Sequence, residues 1–314
     1  MKFWVAVTDN EWFKFLSGIS PDEVNFWQPS GNLRFRAIDC GALFLFKLHS
    51  PLNFITGGGF FVRHTVLPLS IAWETFKEKN GAPNYQTFRS KIMHYREKRG
   101  DIIHDPSIGC ITLTSPFFFR ENKWIPVPKD WSSNIVQGKT YDTNDSIGLK
   151  LWSQVKERLR NKNVLLTESK EEYSEVFEQG ALYGSEFLAR ARLGDGAFRV
   201  LVTDAYNRRC AITGEKTLPA LEAAHIKPYS ESGPHSINNG LLLRADLHKL
   251  FDKGYMTITN DFNLEVSKRV KEEYENGKEY YKMHGNPLIV LPDNDKEYPA
   301  RKYVEWHNQN IFIP

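Results

Sequence analysis

The stretch Leu221–Gly254, LEAAHIKPYSESGPHSINNGLLLRADLHKLFDKG, decides how the second half of the chain is read. Leu221 to Ile226 has the length and apolar content of a short strand, with His225 at its end. A loop rich in Ser, Gly, Pro and Asn follows and closes at Asn239-Gly240. Leu241-Leu242-Leu243 predicts a second strand, and about Ala245 to Phe251 a short helix that Lys253-Gly254 stops. On that helix His248 and Asp252 are four residues apart, so their side chains lie on one face and can share one ion. Imidazole and carboxylate together suit Mg²⁺, Mn²⁺ or a later transition metal. His225, on a strand and without a helical partner, fits a general base rather than a ligand. Asn239, at the loop's end, can bond the loop backbone or the His225 ring. Each residue alone is weak evidence, since a strand histidine is commonly structural and an i, i+4 pair commonly surface. The combination at these spacings is the signal.

Three pieces of this stretch carry a resemblance: Ala224-His225-Ile226-Lys227-Pro228, Asn239-Gly240-Leu241, and Leu247-His248-Lys249-Leu250-Phe251-Asp252-Lys253-Gly254. They resemble the HNH (ββα-metal) endonucleases. The resemblance implies His225 as general base, Asn239 as the residue that orients it and braces the loop, and His248 and Asp252 as ligands of one divalent ion, Mg²⁺ or Mn²⁺. It implies hydrolysis of a DNA phosphodiester to a 5′-phosphate and a 3′-hydroxyl. Lys227, Arg244, Lys249 and Lys253 surround the motif and are expected to hold backbone phosphates, although solvated surface charge accounts for any one of them equally well. There are two departures. Many members carry Asp or His just before the first histidine, where this chain has Ala224. That leaves two ligand sets open: two protein groups plus waters, or the same with Glu222 reaching in. Paired cysteines around Cys210 are absent, so no structural zinc is expected.

On either side of this stretch the chain reads as ordinary globular protein. Asp195 is expected to cap a helix that buries Phe198, Leu201, Val202, Ala205 and Tyr206, and Cys210–Gly214 a short strand and turn. Tyr255–Thr259 and Glu265–Ser267 read as strand, Arg269–Asn276 as a charged helix, and the region of Tyr303, Trp306 and His307 as a last helix. His307 is expected to be structural. His235, inside the loop, is the one further histidine worth testing.

The first 133 residues have a different texture. They hold six of the eight Trp and fifteen of the 21 Phe. Lys2–Val7, Leu33–Ile38, Gly41–Leu48, Gly59–His64 and Cys110–Thr114 predict strands, with Ala42–Leu48 apolar enough on both faces to be central. Ser70 is expected to cap one helix, and Tyr85–Lys98 to form another with Phe88, Ile92 and Tyr95 on one stripe. Gly57-Gly58-Gly59 reads as a tight turn. Lys2-Phe3-Trp4, Phe26-Trp27-Gln28-Pro29, Gly57-Gly58-Gly59-Phe60 and Ala72-Trp73-Glu74-Thr75-Phe76 together resemble the EVE domains of the PUA superfamily. Such domains are associated with pockets for a modified base swung out of a nucleic-acid strand. Aromatic walls restore the stacking that such a base loses, at about 1–3 kcal/mol per base. Most of these rings must be core. Trp27 and Trp73 are the candidates for pocket walls.

Gln137–Asp145 is polar and reads as a linker, followed by a helix from Asp145 or Ser146 with Ile147, Leu151, Val155 and Leu159 on one side, and a second over Glu171–Ala191. The expected division is a reader domain at 1–133, a helical connector at 134–194 and a nuclease domain at 195–314. The expected class is α+β, with a PUA/EVE-like bent sheet or barrel carrying helices, the connector, and a ββα-metal domain.

The net charge of +3 permits nucleic-acid binding without arguing for it. Three separated cysteines give no disulfide framework. Neither a signal peptide nor a membrane span is read, so a cytoplasmic location is expected, with no membrane and no small-molecule cofactor. The two halves together resemble modification-dependent restriction endonucleases. The expected partner is double-stranded DNA carrying methyl- or hydroxymethylcytosine, recognised by base flipping, and cutting both strands implies a homodimer. The alternatives are an HNH nicking or weakly specific endonuclease without modification dependence, and a non-catalytic reader of modified DNA or RNA.

Overall fold

The structure, a computed structural model, describes residues 1–32, 34–97, 104–160, 164–165 and 191–314. The chain divides into two compact units, Met1–Ala197 and Phe198–Pro314, of mixed α+β structure. No helix among the described residues is long and apolar enough to cross a membrane.

The first unit is built on one sheet. In chain order its elements are β1 (Lys2–Thr8), α1 (Asn10–Ile19), β2 (Glu23–Gln28), β3 (Leu43–Leu48), β4 (Phe54–Pro68), α2 (Leu69–Phe76), α3 (Tyr85–Glu97), β5 (Ser107–Phe119), β6 (Ile125–Pro126), β7 (Gly138–Asp142), α4 (Ser146–Arg160) and β8 (Val164–Leu165). The strand order is β2-β5-β4-β3-β1-β7, with β6 paired to β4 and β8 to β5. Only β1 and β3 run parallel among these pairs, and β3 is buried along its whole length, as its two apolar faces require. The register slips between Gly58 and Phe60 and again between Phe61 and Arg63, so β4 bends against β5. Phe44, Phe46, Phe118, Trp12 and Phe13 fill the core on one side.

Several expectations are corrected here. Gly57-Gly58-Gly59 is not a turn but the middle of β4, paired on both sides. A side chain at Gly57 would collide with the Phe117 carbonyl oxygen, and one at Gly58 would stand 2.6 Å from that of Phe44. Glycine serves here because two neighbouring backbones approach too closely for any Cβ. Residues 34–38 form no strand, and Leu33 lies outside the described residues. Gln137–Asp145 is not a free linker, because Gly138–Asp142 is an edge strand antiparallel to β1. The helix α1 and the strand β2 were not foreseen; Asp9 caps α1 by accepting the Trp12 N–H at 2.7 Å. Ser70 lies inside α2 rather than capping it. Asp105 does that work, accepting from the Ser70 backbone N–H at 2.8 Å and its hydroxyl at 2.6 Å. The helix expected over Glu171–Ala191 falls, but for its last residue, outside the described residues.

A further helix, α5 (Asp195–Ala205), opens at the division. Within the first unit, the Glu23 carboxylate accepts from the Gly196 and Ala197 N–H groups at the start of this helix, each at 2.8 Å. Glu23 is fully buried, and burial holds its carboxyl above the usual range against the opposing pull of Lys79, 2.9 Å away.

From Phe198 on, the second unit contains β9 (Leu221–His225), β10 (Gly240–Arg244), α6 (Ala245–Asp252), β11 (Met256–Ile258), β12 (Leu264–Val266), α7 (Arg269–Tyr274), α8 (Lys278–Tyr281) and α9 (Arg301–Asn310). β9 and β10 form an antiparallel pair in which His225 faces Gly240 and Glu222 faces Leu243. Ala224, Leu241, Leu242, Leu243, Leu247 and Phe251 are fully buried and join the hairpin to α6. Cys210–Gly214 makes turns and no strand, although the Ala211 N–H donates to Leu242 O at 2.7 Å. Gly254 ends α6 with φ +75°, the left-handed region that glycine enters without strain.

Candidate active site

His225 is the last residue of β9, so the hairpin ladder fixes its backbone and leaves its ring at the sheet end. The ring lies flat on Phe198, with centroids 3.8 Å apart and planes 14° apart. Its Nε2 is 3.0 Å from Nδ1 of His235. The His235 ring in turn stacks on exposed Tyr229 at 4.4 Å and 22°.

Asn239 is fully buried, and its side chain is spent on the loop backbone. Its Oδ1 accepts the Lys227 N–H, and its Nδ2 donates to Lys227 O and Pro234 O, all at 2.9 Å. Of the two uses the sequence left open, these bonds realise the loop brace. Gly233 makes that closure possible, because a Cβ there would collide with the Lys227 carbonyl oxygen.

On α6, His248 sits between two carboxylates. Its Nδ1 is 2.7 Å from Glu222 Oε2 and its Nε2 is 3.2 Å from Asp252 Oδ2. Burial opposes charging of this imidazole, but hydrogen bonds and charge from Asp252 and Glu222 outweigh it and raise its proton affinity. Ala224 is fully buried in the apolar core, where a carboxylate would be buried without a partner. Glu222, two residues earlier on the same strand, meets His248 directly.

His225, His248 and Asp252 line one cavity of about 420 Å³, together with Ala223, Pro228 and Tyr229. Among the described residues, no three His, Cys, Asp or Glu side chains form a ready-made metal cluster. The donors still fit a hard divalent cation. A carboxylate on Nδ1 is the usual way an imidazole is held with its Nε2 lone pair toward a metal, and Asp252 stands beside that nitrogen. Two protein donors with water at the other positions is how Mg²⁺ is commonly held.

The basic residues differ among themselves. Arg244 is gripped by Asp246 through two bonds, of 3.0 and 2.6 Å. Lys227 lies over the Trp306 ring, 5.2 Å from its centroid, and Lys249 is exposed. His307 is buried, bonding Thr257 Oγ1 at 2.9 Å and Phe251 O at 3.1 Å; burial is the main cause that lowers its pKa to about 4. Phe198 and Tyr229 were missed as site residues. Phe198 reads in sequence as an ordinary helix core position, and no local pattern announces the stacking.

A second cavity, of about 360 Å³, lies in the first unit and is walled by Trp12, Phe26, Trp27 and Tyr95, with Asp9 and Gln28 among its polar groups. Trp27 turns its polar edge away, donating from Nε1 to Asn80 O at 3.0 Å. Trp12 is 2% exposed, and its indole N–H is buried with no hydrogen-bond partner among the described residues. Trp73 is not brought to this cavity. It packs against Tyr85 and Phe88, with ring centroids at 6.3 and 5.9 Å.

One protein-family model, described as HNH endonuclease, matches residues 210–259. That span contains His225, Asn239, His248 and Asp252 and is well short of half the chain. The chain thus carries an HNH endonuclease domain. No curated protein matches it. Among solved structures it is similar to the ZmASCH protein from Zymomonas mobilis, at 11% identity over 56% of this chain and 98% of that one, with a TM-score of 0.29. It is also similar to the modification dependent TagI restriction endonuclease, at 11% identity over 92% of this chain and 75% of that one, with a TM-score of 0.27. At these scores neither likeness fixes a fold or a function.

Proposed function

We propose that the protein is a metal-dependent DNA endonuclease that selects DNA carrying methyl- or hydroxymethylcytosine, with an EVE-like reader near its start and its HNH nuclease in the second unit. The observation that carries the nuclease reading is the shared cavity of His225, His248 and Asp252. His225 takes a proton from the attacking water. His248 and Asp252 hold Mg²⁺ or Mn²⁺, with Glu222 fixing the His248 ring. Such an ion, when bound, supplies charge neutralisation at the phosphate and at the leaving 3′ oxygen. Exposed Lys249 takes backbone phosphates in this reading, and Lys227 and Arg244 serve them on release from Trp306 and Asp246. The reader reading rests on the aromatic cavity around Trp27, whose volume of about 360 Å³ falls in the range of small-molecule sites and accommodates a flipped base. Trp73, packed on α3, supports that wall indirectly through Phe88, which touches both indoles. Cutting both strands takes two such sites, hence a homodimer on DNA.

The test uses purified protein with Mg²⁺ or Mn²⁺ and matched plasmids, unmodified, methylated and hydroxymethylated, beside a His225→Ala control. Preferential cutting of modified DNA, lost in the control, is expected. Equal cutting of all three plasmids removes the reader. No cutting with any metal removes the nuclease. Cutting that survives His225→Ala removes the site assignment.

A further inference from the structure

We propose that Tyr229 is the platform on which the nuclease seats a nucleobase of the strand it cuts: the base next to the scissile phosphate stacks on the open face of this ring. The role rests on the nuclease reading above. It is separate from the base, the loop brace and the metal ligands, and from the lysines and arginine that take phosphates.

Tyr229 is 65% exposed, more than any other aromatic side chain among the described residues. Its ring is nevertheless held in place. The Tyr229 carbonyl oxygen accepts the Ser232 N–H, and that of Pro228 accepts from Glu231 and Gly233, all at 3.0 Å, so the turn that carries the ring closes on itself. Pro228 fixes its own φ just before it, and Asn239 grips Lys227 at both N–H and carbonyl oxygen. One face of the ring lies on His235, with centroids 4.4 Å apart and planes 22° apart. The hydroxyl makes no hydrogen bond to the described residues, so stacking and backbone alone set the position. The other face is left to water. Tyr274, the next most exposed ring at 58%, differs: its hydroxyl meets that of Tyr255 at 3.1 Å, and it does not border the nuclease cavity.

Tyr229 borders the cavity of His225, His248 and Asp252. It is also the outer end of a run of ring contacts that starts in the core. Phe198, 2% exposed, stacks on His225; His225 meets His235 edge-on with centroids 5.0 Å apart; His235 stacks on Tyr229. The run stops at a flat apolar face in water, where one more ring fits. A DNA substrate supplies that ring, because every nucleobase has a π-face and aromatic platforms accept bases with little regard to sequence. Such a contact holds the strand without reading it. A base that leaves its neighbour for Tyr229 bends the backbone at the phosphate between them and restricts how that phosphate sits beside His225, which is the positioning an in-line displacement needs. A ring that merely covered His235 would act through protein stability and be indifferent to which bases the DNA carries.

The test uses full-length wild type, Tyr229→Ala, Tyr229→Leu and Tyr229→Phe with a duplex carrying modified cytosine. The wild-type cut is mapped first, and matched duplexes are then made that lack the base on one or the other side of it. Single-turnover rates at subsaturating enzyme are measured on every pair, with urea unfolding of each protein alongside. Tyr229→Ala is expected to lose about 5- to 150-fold, the range that alanine substitution of a base-stacking aromatic gives. Tyr229→Leu should lose about as much, because bulk without a π-face does not stack, and Tyr229→Phe should recover most of the rate. One of the two abasic duplexes should slow the wild type by a similar factor and leave Tyr229→Ala within about twofold of its own rate on intact DNA, the coupling expected of two groups in contact. Wild-type rates in Tyr229→Ala or Tyr229→Leu overturn the proposal. So do abasic effects of equal size in wild type and Tyr229→Ala, which place the ring away from the bases, and a rate loss that tracks lost stability in urea, which marks a structural ring. A wild type that cuts nothing overturns the nuclease reading and this role with it, whereas a wild type that cuts without these couplings leaves the nuclease standing and removes only the platform.

Discussion

The cavity around His225 and the cavity around Trp27 have similar volumes, about 420 and 360 Å³, but they are assembled by different means. Most of the first wall comes from Ala223 to Asp252, a single hairpin, loop and helix, and its polar groups are locked by short bonds to near neighbours. The second wall is drawn from Val7, Phe26 to Ser30, His49, Tyr95, Val136 and Gln137, brought together by a sheet whose strands pair across the unit. Its rings present faces, and Trp27 has given its polar edge to the backbone. Proton transfer needs lone pairs aimed to within a hydrogen bond, which local structure can provide. Holding a flat ring needs shape and little directional bonding, which long-range packing can provide.

The sharpest way to break this contrast is His225→Ala. Cleavage is expected to fall by about 10²–10⁴-fold, while binding of modified DNA is retained; gel-based single-turnover rates and anisotropy titrations separate the two. Next in size is Asn239→Ala, which strands the Lys227 N–H and weakens the satisfaction of two carbonyls. A loss on the order of 3 kcal/mol in urea unfolding is expected, since each buried group left without a bond costs about 1–3 kcal/mol. A loss below about 1 kcal/mol would show that the loop is braced by other means.

The second unit also carries a pH signature. His307 has its pKa lowered from 6.5 to about 4, so the folded state binds this proton less tightly than the unfolded one. Its contribution is full above pH 6.5 and is lost as the pH falls toward about 4, a loss on the order of 3 kcal/mol at about 1.4 kcal/mol per unit. Hydrogen exchange at Thr257 and Phe251, its two partners, should rise over that window, and in His307→Gln the rise should flatten. The smallest effect belongs to the other cavity. Trp27→Ala should reduce the preference for modified over unmodified DNA by about 1–3 kcal/mol, read as a ratio of affinities, and Trp73→Ala by less. Equal losses from the two would erase the distinction between wall and support.

The same contrast explains what the sequence discloses. The spacing of His225, Asn239, His248 and Asp252 is readable because a hairpin and one helix turn convert it almost directly into geometry. Ala224 marks a missing acid, but that Glu222 meets His248 is decided by a side chain reaching from strand to helix. Phe198 and His235 join the site through contacts 27 and 10 residues away along the chain, and neither carries a local pattern. In the first unit, β3 was legible from a run that is apolar on both faces for most of its length. The strands β2 and β7 were not, because edge strands need little apolar content and their identity rests on partners far along the chain. The cap on α5 is hardest of all, since the acid that meets Gly196 is 173 residues away.

The triple glycine of β4 bears on how any mutational screen of this protein should be interpreted. Gly57 and Gly58 exclude side chains because carbonyl oxygens of β5 and β3 occupy the space. A library scored only for loss of function would therefore rank these positions beside His225 and suggest a motif where there is none. Scoring soluble abundance in parallel separates the two causes: substitutions at Gly57 and Gly58 should deplete the protein, whereas those at His225 should leave it plentiful and inert.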